Sequence, residues 1–144
     1  MTAALNLAAQ AHAELDQLDA AAEAATRAVS VAPTDGLKAE ALMTSSDIYL
    51  RRKEWEKALD TCQRALSLSP GNPIPYFNMG RAYLHTGQVA EAEQAYRDAV
   101  THIKPADRWM LGAAMNELQQ DAAGHPELAA AIQRVLAIIE QAKQ

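Results

Sequence analysis

Aromatic residues are scarce: one phenylalanine, two tryptophans and four tyrosines make up 5% of the 144-residue chain. Strands draw on aromatic and β-branched side chains, whereas much of the 49% hydrophobic content here is alanine, the best helix former. The composition therefore leans helical. A single cysteine, Cys62, excludes an internal disulfide and favours a reducing, cytoplasmic setting. No uncharged apolar run is long enough for a membrane span, and the opening MTAALNLAAQ lacks the basic start of a signal peptide. Positive charge is in the minority, 13 Lys and Arg against 18 Asp and Glu, and the net −5 argues against nucleic acid as a partner. The length suits one ordinary domain that needs no metal or disulfide staple.

Catalytic equipment is equally thin. Neither a phosphate-cradling glycine loop nor an i,i+4 histidine pair occurs. His12, His85, His102 and His125 are dispersed, and Cys62 has no metal-ligand spacing around it. A non-catalytic protein without cofactor or metal is the expectation. Cys62 reads as an inert packing residue, and Arg51-Arg52-Lys53, followed by Glu54 and Glu56, as a solvated turn.

What the chain does have is a repeat. Gln63-Arg64-Ala65-Leu66-Ser67-Leu68-Ser69-Pro70 echoes Thr26-Arg27-Ala28-Val29-Ser30-Val31-Ala32-Pro33 at a displacement of 37 residues, with Trp55 and Ala58 echoing Leu18 and Ala21. Tyr83, Val89, Ala92 and Ala99 then follow Tyr49, Trp55, Ala58 and Ala65 at 34 residues. The three extra residues of the first interval fall at Gly36-Leu37-Lys38, expected in or beside a turn, where insertions are best tolerated. Within each unit the apolar spacing is helical. Pro70-Gly71 ends one helix, Asn72 is a candidate cap and Pro73 a candidate first residue for the next, and Gly124-His125-Pro126 divides the last two.

These units resemble the tetratricopeptide repeat family, whose pattern is W-x2-L-G-x2-Y, A-x3-F and P. The third unit matches best, with Tyr76, Met79, Gly80, Tyr83, Ala92, Tyr96 and Ala99. The second carries Leu42, Ser45, Ser46, Tyr49, Ala58, Cys62, Ala65 and Pro70, and the first Leu5, Ala8, Ala9, His12, Ala21, Ala25, Ala28 and Pro33. The resemblance implies an all-α, right-handed superhelical array of about eight helices in antiparallel hairpins. Repeats would span about 2–35, 39–72 and 73–105, with a degenerate capping hairpin at 106–144, all in one domain. Small residues at Ala9, Ser46 and Gly80, and at Ala21, Ala58 and Ala92, would let paired helices approach.

In this family the first helix of each repeat lines a concave surface that holds a peptide or partner helix. That implies a groove of Asn6, Gln10, Met43, Thr44, Asp47, Leu50, Arg51, Phe77, Asn78, Arg81, Leu84, His85 and Trp109, extended by Met110 and Asn116. Phe77, Arg81 and Trp109 are the candidate anchors, since aromatic and arginine residues recur as hot spots. The expected partner is a protein or peptide. The chaperone-tail clamp of some members is disfavoured, because its matching places carry Asn6, Gln10, Thr44, Ile74 and Asn78 with no lysine or arginine. The alternative is self-assembly through the last helix, whose Leu128, Ile132, Val135, Leu136, Ile138 and Ile139 span more than a narrow stripe.

Overall fold

The three segments that echo one another fold into three equivalent hairpins. The computed structural model describes residues 1–144, and the chain is all α: α1 (Thr2–Glu14), α2 (Leu18–Val31), α3 (Asp35–Arg51), α4 (Trp55–Leu68), α5 (Ile74–His85), α6 (Val89–His102), α7 (Trp109–Gly124) and α8 (Ala129–Ala142). Short 3-10 turns, Pro105–Asp107 and Pro126–Leu128, precede the last two. Backbone packing groups the helices into two compact units, Met1–Gly71 and Asn72–Gln144, of two hairpins each.

The repeat is written into the backbone at the turn inside each of the first three hairpins. Asp16, Lys53 and Gly87 adopt φ of 60°, 62° and 77°. The amide of the following residue then reaches back to the helix: Gln17 N–H to His12 O (2.7 Å), Glu54 N–H to Tyr49 O (2.9 Å), Gln88 N–H to Tyr83 O (2.9 Å). Together with Asp16 N–H to Ala13 O, Lys53 N–H to Leu50 O and Gly87 N–H to Leu84 O, these bonds form three Schellman caps in register. Only the third has the glycine that the left-handed backbone prefers. The fourth hairpin has another turn, with His125 at φ −137° before the 3-10 turn that Pro126 opens.

Packing follows the repeat as well, at register-matched positions. Ala9, Ser46 and Gly80 are buried on the first helices, and Ala25, Cys62 and Tyr96 on the second helices at the matching positions. Ala9 and Ala25 share one core cluster, and Ser46 hydrogen-bonds Cys62. At Gly80 a Cβ would run into the Tyr96 ring, with Cδ2 only 2.6 Å away. In the third hairpin Tyr96 thus fills the volume that a side chain at position 80 would need. Ala21, Ala58 and Ala92 are fully buried.

The residues Gly36-Leu37-Lys38 lie beside the bend at Pro33 and Thr34, within the first turn of α3: Thr34 Oγ1 accepts from Leu37 N–H (3.2 Å), capping a helix that runs to 17 residues. The insertion costs one more turn of helix, which adds a hydrogen bond per residue. Asn72 caps one residue early, its Oδ1 accepting from Ile74 N–H (3.0 Å), so the helix begins at Ile74 and Pro73 is its N-cap. In the first unit the second helix of one hairpin packs on the first helix of the next, α2 on α3; in the second unit α6, beyond its own partner α5, packs chiefly on α8. Ala92 and Tyr96 of α6 thus share a core with Leu111, Ala114 and Leu118 of α7 and with Ile132, Val135 and Ile139 of α8. The last helix supplies a third of this buried core, and its apolar width is spent there. Leu128 and Leu136 are half-buried against it, Ile138 is also half-buried, and α8 shows no large exposed apolar residue.

Candidate functional site

In the first unit α1 and α3 lie side by side, and polar residues expected to face a partner bond the neighbouring helix. Asn6 is 5% exposed and its Nδ2 donates to Glu40 Oε1 at 3.2 Å. Arg51, in the last turn of α3, donates from Nε to Asp47 Oδ2 (3.1 Å) and from Nη1 to the carbonyl of Ala13 (2.9 Å), with Glu14 Oε1 at 3.7 Å from Nη2. A cation here also sits at the carbonyl end of α1, a favourable place for positive charge. Thr44 is buried and its hydroxyl donates to Glu40 O within α3 (3.3 Å). Gln10 is exposed and Met43 and Asp47 are half-buried. Leu50 is 4% exposed and belongs to the interior, a correction to its groove assignment. Next in sequence, Arg52 lies 3.2 Å from Glu54 and 3.8 Å from Asp19, so the basic cluster is met by acids at its turn.

In the second unit Arg81 of α5 reaches across to α7. Its Nε and Nη2 donate to Asp121 Oδ2 (3.1 Å) and Oδ1 (3.2 Å), a two-pronged contact, while Nη1 donates to Glu117 Oε2 (3.0 Å). His85 Nε2 stands 3.5 Å from the same Asp121 Oδ2, and its ring meets His125 edge to face at 5.0 Å. His125 Nδ1 lies 3.3 Å from Glu127 Oε1. Burial works against both charges of the central pair, yet their mutual contact prevails. The Arg81 guanidinium is held above its ordinary pKa by Asp121 and Glu117, and the Asp121 carboxyl below its own by His85 and Arg81. Glu127 is held low by its own backbone amide and by His125. Chemically this is a staple between two first helices: the Asp121 carboxyl, with its pKa lowered, is occupied by the Arg81 guanidinium, the opposite of a proton donor held ready.

The remaining residues of the expected surface separate by exposure. Phe77 is half-buried and packs edge-on against Tyr96, centroids 5.9 Å apart. Asn78 is 9% exposed. Leu84, 1% exposed, sits in the core with Leu111 and Ile132 and is no groove residue: three of its neighbouring helices close over it. Trp109 stands alone among the aromatics in being 66% exposed. Met110 is half-buried and Asn116 exposed. Sequence reasoning named one side of each cross-link and missed the other, namely Glu40, Glu14, Glu117 and Asp121. The Asn6–Glu40 pair spans 34 residues where the local repeat displacement is 37, and Arg81–Asp121 spans 40, so neither partner falls at the repeat spacing.

Paired antiparallel helices, a repeating cap and register-matched small residues define an all-α helical-repeat protein. The chain belongs to the tetratricopeptide repeat family: models described as tetratricopeptide repeat match residues 3–73 and 46–137. Among curated relatives it is 41% identical to mouse serine/threonine-protein phosphatase 5 over 56 residues, 38% of this chain and 11% of that one. It is 35% identical to the photosystem I assembly protein Ycf3 of Synechococcus sp. (strain CC9902) over 82 residues, 57% of this chain and 42% of that one. A heat-shock protein cognate co-chaperone, sgt12 of Aspergillus fumigatus, is 35% identical over 79 residues, 54% of this chain and 23% of that one. The chain thus spans less than half the length of these relatives. Among solved structures the crystal structure of MamA superimposes with a TM-score of 0.65 at 20% identity, covering 97% of this chain and 79% of that one. The Hsp90 co-chaperone Cns1 of Saccharomyces cerevisiae gives 0.67 at 17% identity, covering 92% and 44%. At these identities the likeness is one of fold. No helix is long and apolar enough to cross a membrane.

Proposed function

We propose that the chain is a non-catalytic adaptor that holds a protein or peptide segment against the first helices of its hairpins. The observation that carries this reading is Trp109, 66% exposed at the start of α7 although tryptophan is on average among the most buried residue types. An exposed indole on a first helix is a ready hot spot: it offers a large apolar area at low entropic cost. Gln10, Met43 and Asp47 supply amide, thioether and carboxylate contacts on the first unit, a mixture that suits a segment with both apolar side chains and backbone to satisfy. Relatives named for co-chaperone and assembly roles support the same class of work.

Arg81 and Phe77 are poor test positions, because one staples α5 to α7 and the other packs on Tyr96. Trp109→Ala removes surface only. Captured partner segments are expected to bind this variant at least tenfold more weakly, with the urea midpoint unchanged. Equal retention by Trp109→Ala and by a Gln10→Ala/Met43→Ala variant would refute the assignment.

A further inference from the structure

The first helix carries an apolar stripe that the rest of the chain leaves open. Leu7 and Leu15 are 68% and 69% exposed, and Ala3, Ala4 and Ala11 are exposed beside them. Positions 3, 7, 11 and 15 follow at four-residue spacing and form one gently winding band on α1 and its C-cap residue Leu15. The repeat itself shows what such a face is built to meet. Displaced by 37 residues, Ala4, Leu7 and Ala11 correspond to Ala41, Thr44 and Ile48 of α3, all buried, and Ile48 lies in a core cluster with Ala21 and Ala25 of α2. On α3 a neighbouring helix covers these positions.

We propose that the occupant on α1 is the α1 of a second copy, packed antiparallel about a two-fold axis near Ala9. With that centre, residue i faces residue 18 − i, so Leu7 meets Ala11 and Leu15 meets Ala3 of the other copy, twice each. Every large side chain then lies against a small one, which lets the helices approach without overpacking. Charge selects the direction. Glu14, with its side chain 77% exposed, is the one charged residue on the stripe. An antiparallel pair sets it against Ala4 of the partner helix, in a first turn that holds no acidic residue and whose free amides carry the positive end of the helix dipole. A parallel pair would bring the two Glu14 carboxylates together. The band is confined to a 13-residue helix, well short of the roughly 800 Å² per partner of a standard interface, so the dimer is weak and concentration-dependent. The Leu7 and Leu15 substitutions leave Trp109 unchanged, so the outcome of this test and that of Trp109→Ala capture are read independently.

Sedimentation equilibrium from about 1 μM to about 1 mM spans the weak range of specific association. The mass is expected to rise from 15.6 kDa toward twice that value, and Leu7→Glu/Leu15→Glu is expected to remain monomeric with unchanged helicity and urea midpoint. Mild oxidation of Leu7→Cys/Ala11→Cys should yield a covalent dimer, whereas Ala11→Cys alone should not, since its two copies lie about 6 Å apart along the helix axes. A monomer throughout, a dimer indifferent to the glutamates, growth beyond a dimer, or equal cross-linking of the single-cysteine variant would each overturn the proposal.

Discussion

Adding one methyl group at Gly80 and at Gly112 should have opposite consequences. Both glycines lie inside helices, where Gly→Ala ordinarily stabilises by about 0.5–1 kcal/mol through backbone entropy and propensity. At Gly112 nothing stands within 4 Å of the new Cβ, so Gly112→Ala is expected to show that full gain. At Gly80 the Cβ would meet Tyr96 Cδ2 at 2.6 Å and Cζ at 3.1 Å. The ring cannot step aside, because Tyr96 is 1% exposed and wedged against Phe77. Overpacking of this kind costs about 1–3 kcal/mol, so Gly80→Ala should be destabilising by up to about 2 kcal/mol after the propensity gain. Urea denaturation, compared between the two variants, isolates the steric part as their difference. Tyr96→Ala alone should cost about 3–5 kcal/mol as a large-to-small core change. Because the first repeat carries alanine at both equivalent positions, Gly80→Ala in the Tyr96→Ala background should cost nothing further, a coupling that a double-mutant cycle reads directly. Equal stabilisation by Gly80→Ala and Gly112→Ala would refute the volume exchange.

Ala92→Leu should likewise cost about 1–3 kcal/mol in urea, since the position is fully buried against α5 and α8 packing. Asp121 has a folded-state pKa below its unfolded value, so its contribution is present above about pH 4 and fades as pH falls through the lowered pKa. Asp121→Asn should therefore lose about 1.5–3 kcal/mol at pH 7 and show a flatter acid limb in melting experiments. The Cys62 thiol, pushed up to about 12 by burial with only partial relief from Ser46, should resist iodoacetamide at pH 8 and react once urea unfolds the chain. Lys53→Gly, at φ 62°, should stabilise by up to about 1 kcal/mol by removing left-handed strain, read as a raised urea midpoint.

The elements that sequence alone revealed are those governed by local rules or by recurrence. Repeated Ala and Pro positions located the hairpins, since each unit must bury the same helix faces. The polar surface was less legible. Asn6, Arg51 and Arg81 occupy first-helix positions, yet each is engaged by a carboxylate or carbonyl on an adjacent first helix. Their partners lie 34 to 40 residues away, and once α7 departs from the repeat length no register points to Asp121.

Composition and period thus settled an all-helical chain of tandem hairpins, because helix propensity and face-to-face burial act through spacings that a sequence displays. The helix that receives α6, the ionic staple between α5 and α7, and the exposure of Leu7, Leu15 and Trp109 were decided only in three dimensions. Each depends on which surfaces win a neighbour when whole helices compete for cover, and that competition leaves no periodic trace in the chain.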